Sequence, residues 1–375
     1  MIYLDYSANT PVDARVLEQF CAVERRCIGN ANSHHQAGSA AKAEIDAATI
    51  KIASLLGVQP AEIIYTSGAS EANNFALKGL ARLSRHAGMH IISTPLEHSS
   101  VSGTLTALQE QGYEIDLLDV KQDGTVDLEH LKDLLRPDTI CVAVTLVDSE
   151  LGVVQPVQEI AAILKAYPHC HLHVDATQAV GKIPVSFEGV DTMSLTAHKF
   201  YGLNGIGMLI KRRNLALEPL IHGGESTTIY RSGTPTVALA SSLACALDLA
   251  VTDLPNRVDH VAKLNAELRA ALSTYPLVRI NSPDHAIPHV LNLSVRNVKG
   301  TVFQRELDAK GVCVSVKSAC SSDGLPSRAV FAVSRDRRNA LSSWRISLSH
   351  LTTEDEIKAF LQAFDVCYRE LTAVH

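Results

Sequence analysis

His171-Leu172-His173-Val174-Asp175-Ala176-Thr177-Gln178 is the stretch that decides the fold: a short strand-like run ends in an acid and then turns. Three similar runs lie upstream, Ile63-Ile64-Tyr65-Thr66, His90-Ile91-Ile92-Ser93 and Thr139-Ile140-Cys141-Val142-Ala143-Val144. Amphipathic segments at 43–56, 126–135 and 156–167 separate them. That alternation predicts a mostly parallel, buried sheet with helices on both faces. Polar residues follow each run: Ser67-Gly68-Ala69-Ser70, Glu97-His98, Asp148-Ser149 and Asp175 itself. In open α/β sheets, ligands sit at that carboxyl edge.

Downstream, Thr192-Met193-Ser194-Leu195 places Thr196-Ala197-His198-Lys199 at a further strand end. After residue 236 the pattern changes. A long helical stretch at 236–274, interrupted near Pro255-Asn256, precedes strand-like segments near 277–281, 289–295, 312–316 and 344–348, with helices near 301–310 and 353–372. These describe a smaller α+β domain. The expected division is 12–255 for a large domain, and 1–11 with 256–375 for the small one.

The 375 residues are 46% hydrophobic and 20% charged, enough to bury a large core. A net charge of −6 and a pI near 6.2 give no global basic field, so no direct nucleic-acid contact is expected. The basic run Arg335-Asp336-Arg337-Arg338 reads as a solvated loop. The opening residues meet Asp5 too early for a secretory apolar segment, and no uninterrupted apolar stretch of about 18 residues follows. A cytoplasmic protein without membrane contact is expected. Eight cysteines lie scattered without paired CxxC spacing, which suggests neither a metal cage nor a disulfide framework.

An acid at the tip of a buried strand is costly without a cationic partner. A protonated pyridine nitrogen is such a partner, although Asp175 could also cap the turn that follows it. Pyridoxal phosphate needs that carboxylate, an amine for its aldehyde, and hydroxyls or backbone amides for its phosphate. Lys199 offers the amine. Ser67-Gly68-Ala69-Ser70, joining strand to helix, offers the amides, with helix capping by Ser70 as the plainer reading. His98 could stack on the cofactor ring or be an ordinary loop histidine.

The strings Leu4-Asp5-Tyr6-Ser7-Ala8-Asn9-Thr10-Pro11, Thr66 to Asn74, Glu97-His98-Ser99, His173 to Gln178, Ser194 to Lys199, Arg231-Ser232-Gly233-Thr234 and Ser318-Ala319-Cys320 together resemble the cysteine desulfurases of the NifS/IscS type, in family order. The resemblance implies a fold-type-I pyridoxal 5'-phosphate enzyme of α/β class, with a mostly parallel seven-stranded sheet and a smaller α+β domain. It implies a homodimer that takes sulfur from L-cysteine, leaves L-alanine, and passes the sulfur as a persulfide to an acceptor protein. Lys199 would bond the cofactor and act as acid and base. Asp175 would hold the pyridine nitrogen, Gln178 the ring hydroxyl, and His98 would stack on the ring. Ala69, Ser70, Thr196 and His198 would surround the phosphate, with Thr234 reaching it from the partner subunit. Arg345 would grip the substrate carboxylate, and Cys320, on a loop at about 316–328, would accept the sulfur.

Departures from the family point to a specialised branch. Asp148-Ser149 stands where two asparagines are usual, so Ser149 falls at the substrate and Asp148 is expected to add negative charge beside it. Lys317 replaces a typical glycine near the nucleophile, where it would favour the thiolate. Iron–sulfur assembly, thionucleoside synthesis and sulfur modification of DNA (phosphorothioation) are the pathways such a branch could serve. A selenocysteine lyase-like enzyme and a catalytically weak cofactor-bearing scaffold are the alternatives.

Overall fold

A computed structural model describes residues 1–317 and 325–373. Its strands, in chain order, are β1 (Ile2–Tyr3), β2 (Ile63–Thr66), β3 (His90–Ser93), β4 (Glu114–Leu117), β5 (Thr139–Thr145), β6 (His171–Asp175), β7 (Thr192–Thr196), β8 (Gly207–Lys211), β9 (Val278–Ile280), β10 (Val290–Val295), β11 (Val312–Cys313) and β12 (Ser343–Ser347). A seven-stranded sheet has the order β2-β8-β7-β6-β5-β3-β4. Only β8 runs against its neighbours, β2 and β7; the other pairs are parallel. Because β2 and β7 both oppose β8, β2 runs with β3 to β7, and their carboxyl ends share one edge.

Side chains alternate across the sheet as a period of two demands. On β5, Val142 and Val144 enter a core with Val16, Ile52, Leu243 and Leu247, whereas Cys141 and Ala143 enter another with Phe75, Leu77 and Leu105. Both faces are therefore covered, which is why the strand reads as one continuous apolar run. Each fully buried Val, Leu or Phe contributes about 1.5–3 kcal/mol.

A separate core gathers Leu4, Val261, Leu293, Trp344, Phe360 and Phe364 around the antiparallel sheet β12-β10-β9 and the parallel pair β1-β11. Phe303 stacks on Trp344 at 5.2 Å between ring centroids. Leu4 thus ties the start of the chain to its last third. The expected strand at 312–316 is shorter, Val312–Cys313, and Cys313 on it is half-buried.

The long helical stretch is two helices, Val237–Thr252 and Leu254–Leu272, at 64° to each other. The break falls at Asp253, not at Pro255. Proline occupies the first turn of the second helix, where its missing N–H costs no hydrogen bond. Among the described residues no single helix is long and apolar enough to cross a membrane.

Candidate active site

Asp175 is the last residue of β6 and pairs in register with Ser194 of β7. Lys199 ends the single 3-10 turn Ala197–Lys199 that follows β7. Adjacent parallel strands therefore deliver the acid and the amine to one crevice of about 340 Å³, which both residues line.

Asp175 is 4% exposed, and its two oxygens are separately held. Oδ1 accepts the Thr177 N–H at 2.9 Å, which is the turn-capping bond foreseen for it; Oδ2 accepts Asn73 Nδ2 at 2.9 Å. Asn73 also donates to Ser100 Oγ, and its Oδ1 accepts from Ser194 Oγ and from His173 Nε2 at 3.0 Å. Burial pushes the His173 imidazole down to about 4, so the ring is neutral and its Nε2 carries the proton toward Asn73. Asn73, within the string Thr66 to Asn74, is the brace that fixes the Asp175 carboxylate. Asn73→Ala is expected to lower stability by about 1–3 kcal/mol, because Asp175 and His173 lose buried partners. Denaturant unfolding checks this, and an unchanged midpoint would mean the network is incidental.

The N-terminal segment lies over the lysine. Lys199 Nζ donates to the carbonyls of Ser7 at 2.8 Å and Ala8 at 2.6 Å, and Gln178 Nε2 donates to Ser7 O at 2.9 Å. Thr10 Oγ1 donates to His198 O and accepts the Tyr201 N–H, stitching the segment to the lysine turn. The string Leu4 to Pro11 thus has a physical job, holding the amine before any ligand arrives.

At the end of β2 the backbone passes through Gly68 into the helix Ala69–Leu83, whose first turn, with its N–H groups free of helical partners, lines the crevice. Gly68, not Ser70, is the cap, and Ser70 sits inside the first turn with its residue lining the crevice. A Cβ on Gly207 would meet Leu195 O at 2.6 Å and Gly68 Cα at 2.7 Å, so only glycine lets β8 press this close to the turn at Gly68. Thr196 and His198 line the same end, with Thr196 Oγ1 3.1 Å from His198 Nδ1. Burial and the nearby Lys199 push His198 down to about 4. Thr234 lines a neighbouring cavity instead, together with Ser67 and Arg231.

His98 caps the helix Ser99–Gln109: its Nδ1 accepts the Ser100 N–H at 3.1 Å, leaving the proton of the neutral ring on Nε2. Burial lowers its pKa, against the pull of Asp175. Arg345, 1% exposed, donates to Asp5 Oδ1 at 2.9 Å and to Ser149 O at 2.7 Å, and its Nε has no partner among the described residues. Ser7 Oγ and Thr177 Oγ1, also on crevice-lining residues, are unpartnered in the same sense. Buried donors left unmade are expensive, so the donor set suits an anionic, multiply hydrogen-bonding ligand such as a pyridoxal phosphate carrying an amino acid.

Asp148 departs from expectation. It is 1% exposed, does not line the crevice, and accepts the Leu151 N–H through Oδ2. Burial, aided by Glu150, pushes its carboxyl up to about 7, and burial pushes Glu97 up to about 8. Much of their charge is therefore absent at neutral pH, and only Ser149 of the departing pair faces the ligand space. Cys320 lies outside the described residues. Its flanks are tethered: Lys317 Nζ donates to Leu325 O, Ser327 Oγ to Glu150 Oε2, and Arg328 to Glu97 O.

Comparison with known proteins agrees with this geometry. Residues 2–360 match the family model for aminotransferase class-V. The cysteine desulfurase IscS of Proteus mirabilis is 40% identical over 365 residues, covering 95% of this chain and 90% of that protein. A solved NifS-like protein superposes with a TM-score of 0.92 at 35% identity, covering 99% of each chain. DndA from Streptomyces lividans superposes at 0.79 and 34% identity, covering 92% of this chain and 99% of that one. With the lysine and its acid at the carboxyl edge of a matching sheet, the chain belongs to the aminotransferase class-V family as a cysteine desulfurase of the NifS/IscS type, dependent on pyridoxal 5'-phosphate.

Proposed function

We propose that this cysteine desulfurase works through the residues gathered in the crevice and hands its sulfur to an acceptor protein of a dedicated pathway. The convergence of Lys199, Asp175 and Arg345 on one crevice carries the reading. When bound, the cofactor supplies the electron sink that labilises the bonds at the substrate's Cα and Cβ. Asp175, braced by Asn73, keeps the pyridine nitrogen protonated. Gln178 donates to the ring hydroxyl, and His98 covers the ring face. Ala69, Ser70, Thr196 and His198 hold the phosphate, with Thr234 contributed by the second subunit of a homodimer.

Arg345 receives the substrate carboxylate through the guanidinium edge that Asp5 and Ser149 leave open. Lys199, already oriented by the Ser7 and Ala8 carbonyls, moves the proton at Cα and returns one at Cβ. The Cys320 thiolate attacks the substrate sulfur; the C–S bond breaks with its electron pair left on Cβ, which takes a proton. L-Cysteine and the Cys320 thiol thereby become L-alanine and a Cys320 persulfide, with no outside oxidant. The division at 12–255, with 1–11 and 256–375 as the second unit, puts the nucleophile loop on the small domain, consistent with the separate core around Trp344.

Incubation with L-cysteine, assayed for alanine and sulfide, tests the reading; no product would leave only a cofactor-bearing scaffold. Faster turnover of L-selenocysteine than L-cysteine would instead support the lyase. Ser149→Asn restores the longer amide beside Arg345 and is expected to raise kcat/KM for L-cysteine by roughly three- to tenfold, the yield of one better-reaching hydrogen bond. An unchanged or lower value would show that Ser149 is tuned to this chain's own substrate pose. The acceptor, in iron–sulfur assembly, thionucleoside synthesis or DNA sulfur modification, is identified by capturing the protein that takes label from a persulfide-loaded enzyme.

A further inference from the structure

Behind Lys199, on the side away from the crevice, lies a second amine that the proposed chemistry does not use. Lys182 is 6% exposed, and its Nζ is held by an amide oxygen. The chain brings it there by a tight turn after β6: Ala179 N–H bonds Ala176 O, Lys182 N–H bonds Ala179 O, and Gly181 adopts φ +75° between them. A side chain on Gly181 would be strained by that φ and would press on Phe200 Cβ at 3.1 Å.

Lys182 Nζ donates to Gln178 Oε1 at 2.7 Å, four residues earlier on the same turn. The other end of that amide, Nε2, donates to Ser7 O on the crevice wall. Gln178 lines the crevice and not the small cavity behind it; Lys182 lines the small cavity, of about 10 Å³, and not the crevice. Lys199 lines both. An ammonium can only donate, so it takes Oε1 and, with Nε2 donating to Ser7 O, turns the amide's NH₂ toward the ligand space.

We infer that Lys182 is a positioning residue: by clamping Gln178 Oε1 from behind, it fixes the glutamine amide so that its N–H donors, not its carbonyl, meet the cofactor's ring oxygen. The inference rests on the reading that Gln178 faces that oxygen. Without that clamp only the Nε2 bond to Ser7 O would hold the amide, and a flipped amide would present its carbonyl to a negatively charged oxygen, with repulsion in place of a hydrogen bond. Lys182 also meets Lys199, Arg345 and His289 without a compensating acid. Burial and the Lys199 and Arg345 cations push it down to about 7.

The test uses the cofactor-loaded full chain, read by the pH midpoint of the cofactor's visible band and by the cofactor dissociation constant. Lys182→Met keeps length and packing but loses the donor. It is expected to raise the midpoint by about one pH unit, because the ring oxygen loses a donor that had stabilised its charge. It is also expected to weaken cofactor binding roughly tenfold. Gln178→Ala should produce the same shifts, and the double variant should match Gln178→Ala alone, since Lys182 acts only through the amide. Additive shifts, or an unmoved midpoint in Lys182→Met, would overturn the proposal while leaving the site reading intact. A midpoint that ignores Gln178→Ala would instead show that the glutamine does not face the ring oxygen, which removes the premise. Far-UV circular dichroism of each variant confirms that the comparison is between folded proteins.

Discussion

Lys199→Ala is expected to lose desulfurase turnover by roughly four orders of magnitude, the upper range for removing a positioned acid–base group. The covalent hold on the cofactor disappears with it. Nothing described nearby replaces the amine: Lys182, buried next to half-buried Lys199, does not line the crevice. The proposed phosphate cradle at Ala69–Ser70 and the acid Asp175 are untouched by the substitution, so the variant should still bind the cofactor, more weakly and without the parent's visible band. Absorbance after reconstitution and alanine release from L-cysteine measure both effects. A variant with the parent's spectrum would mean that another lysine carries the bond.

Cys320→Ser should keep the cofactor spectrum and lose persulfide formation by a factor of about 10³ or more, because a serine oxygen has neither thiolate nucleophilicity nor the capacity to hold sulfane sulfur. No other cysteine is placed to substitute. None lines the crevice. Burial holds Cys141 well above the ordinary thiol range, Cys170 at about 12 and Cys367 at about 11, so their thiolates are scarce at neutral pH. Cys313, half-buried on β11, is also pushed up by burial. Labelling with a persulfide-trapping reagent after L-cysteine treatment distinguishes the outcomes. Equal labelling of Cys320→Ser and parent would transfer the role to another thiol, with Cys313 next in line.

The sheet was legible where burial on both faces left an unbroken apolar run, as in β5. It was harder to read at β4, whose Glu114-Ile115-Asp116-Leu117 alternates as an edge strand does, and at β8, a short run behind a glycine turn. Lys199 and Asp175 stood out because an amine and an acid at strand tips have few structural uses, and the structure brings both to one crevice. Asn73, Asp5 and Lys182 did not. Their roles depend on which side chains meet across the fold: Asn73 and Asp175 are 102 residues apart, and Asp5 and Arg345 are 340 apart. Asp148 was misjudged for a related reason. Its neighbour Ser149 faces the crevice, but a tight turn sends the carboxylate inward to the Leu151 N–H.

Borohydride reduction of the cofactor-loaded protein, followed by peptide mass mapping, bears most directly on the central claim that Lys199 is the amine bonded to the cofactor opposite Asp175. Reduction makes the cofactor–lysine bond permanent. The expected result is one phosphopyridoxyl adduct, on the peptide carrying Lys199; an adduct on Lys182 or elsewhere, with Lys199 unmodified, would contradict it.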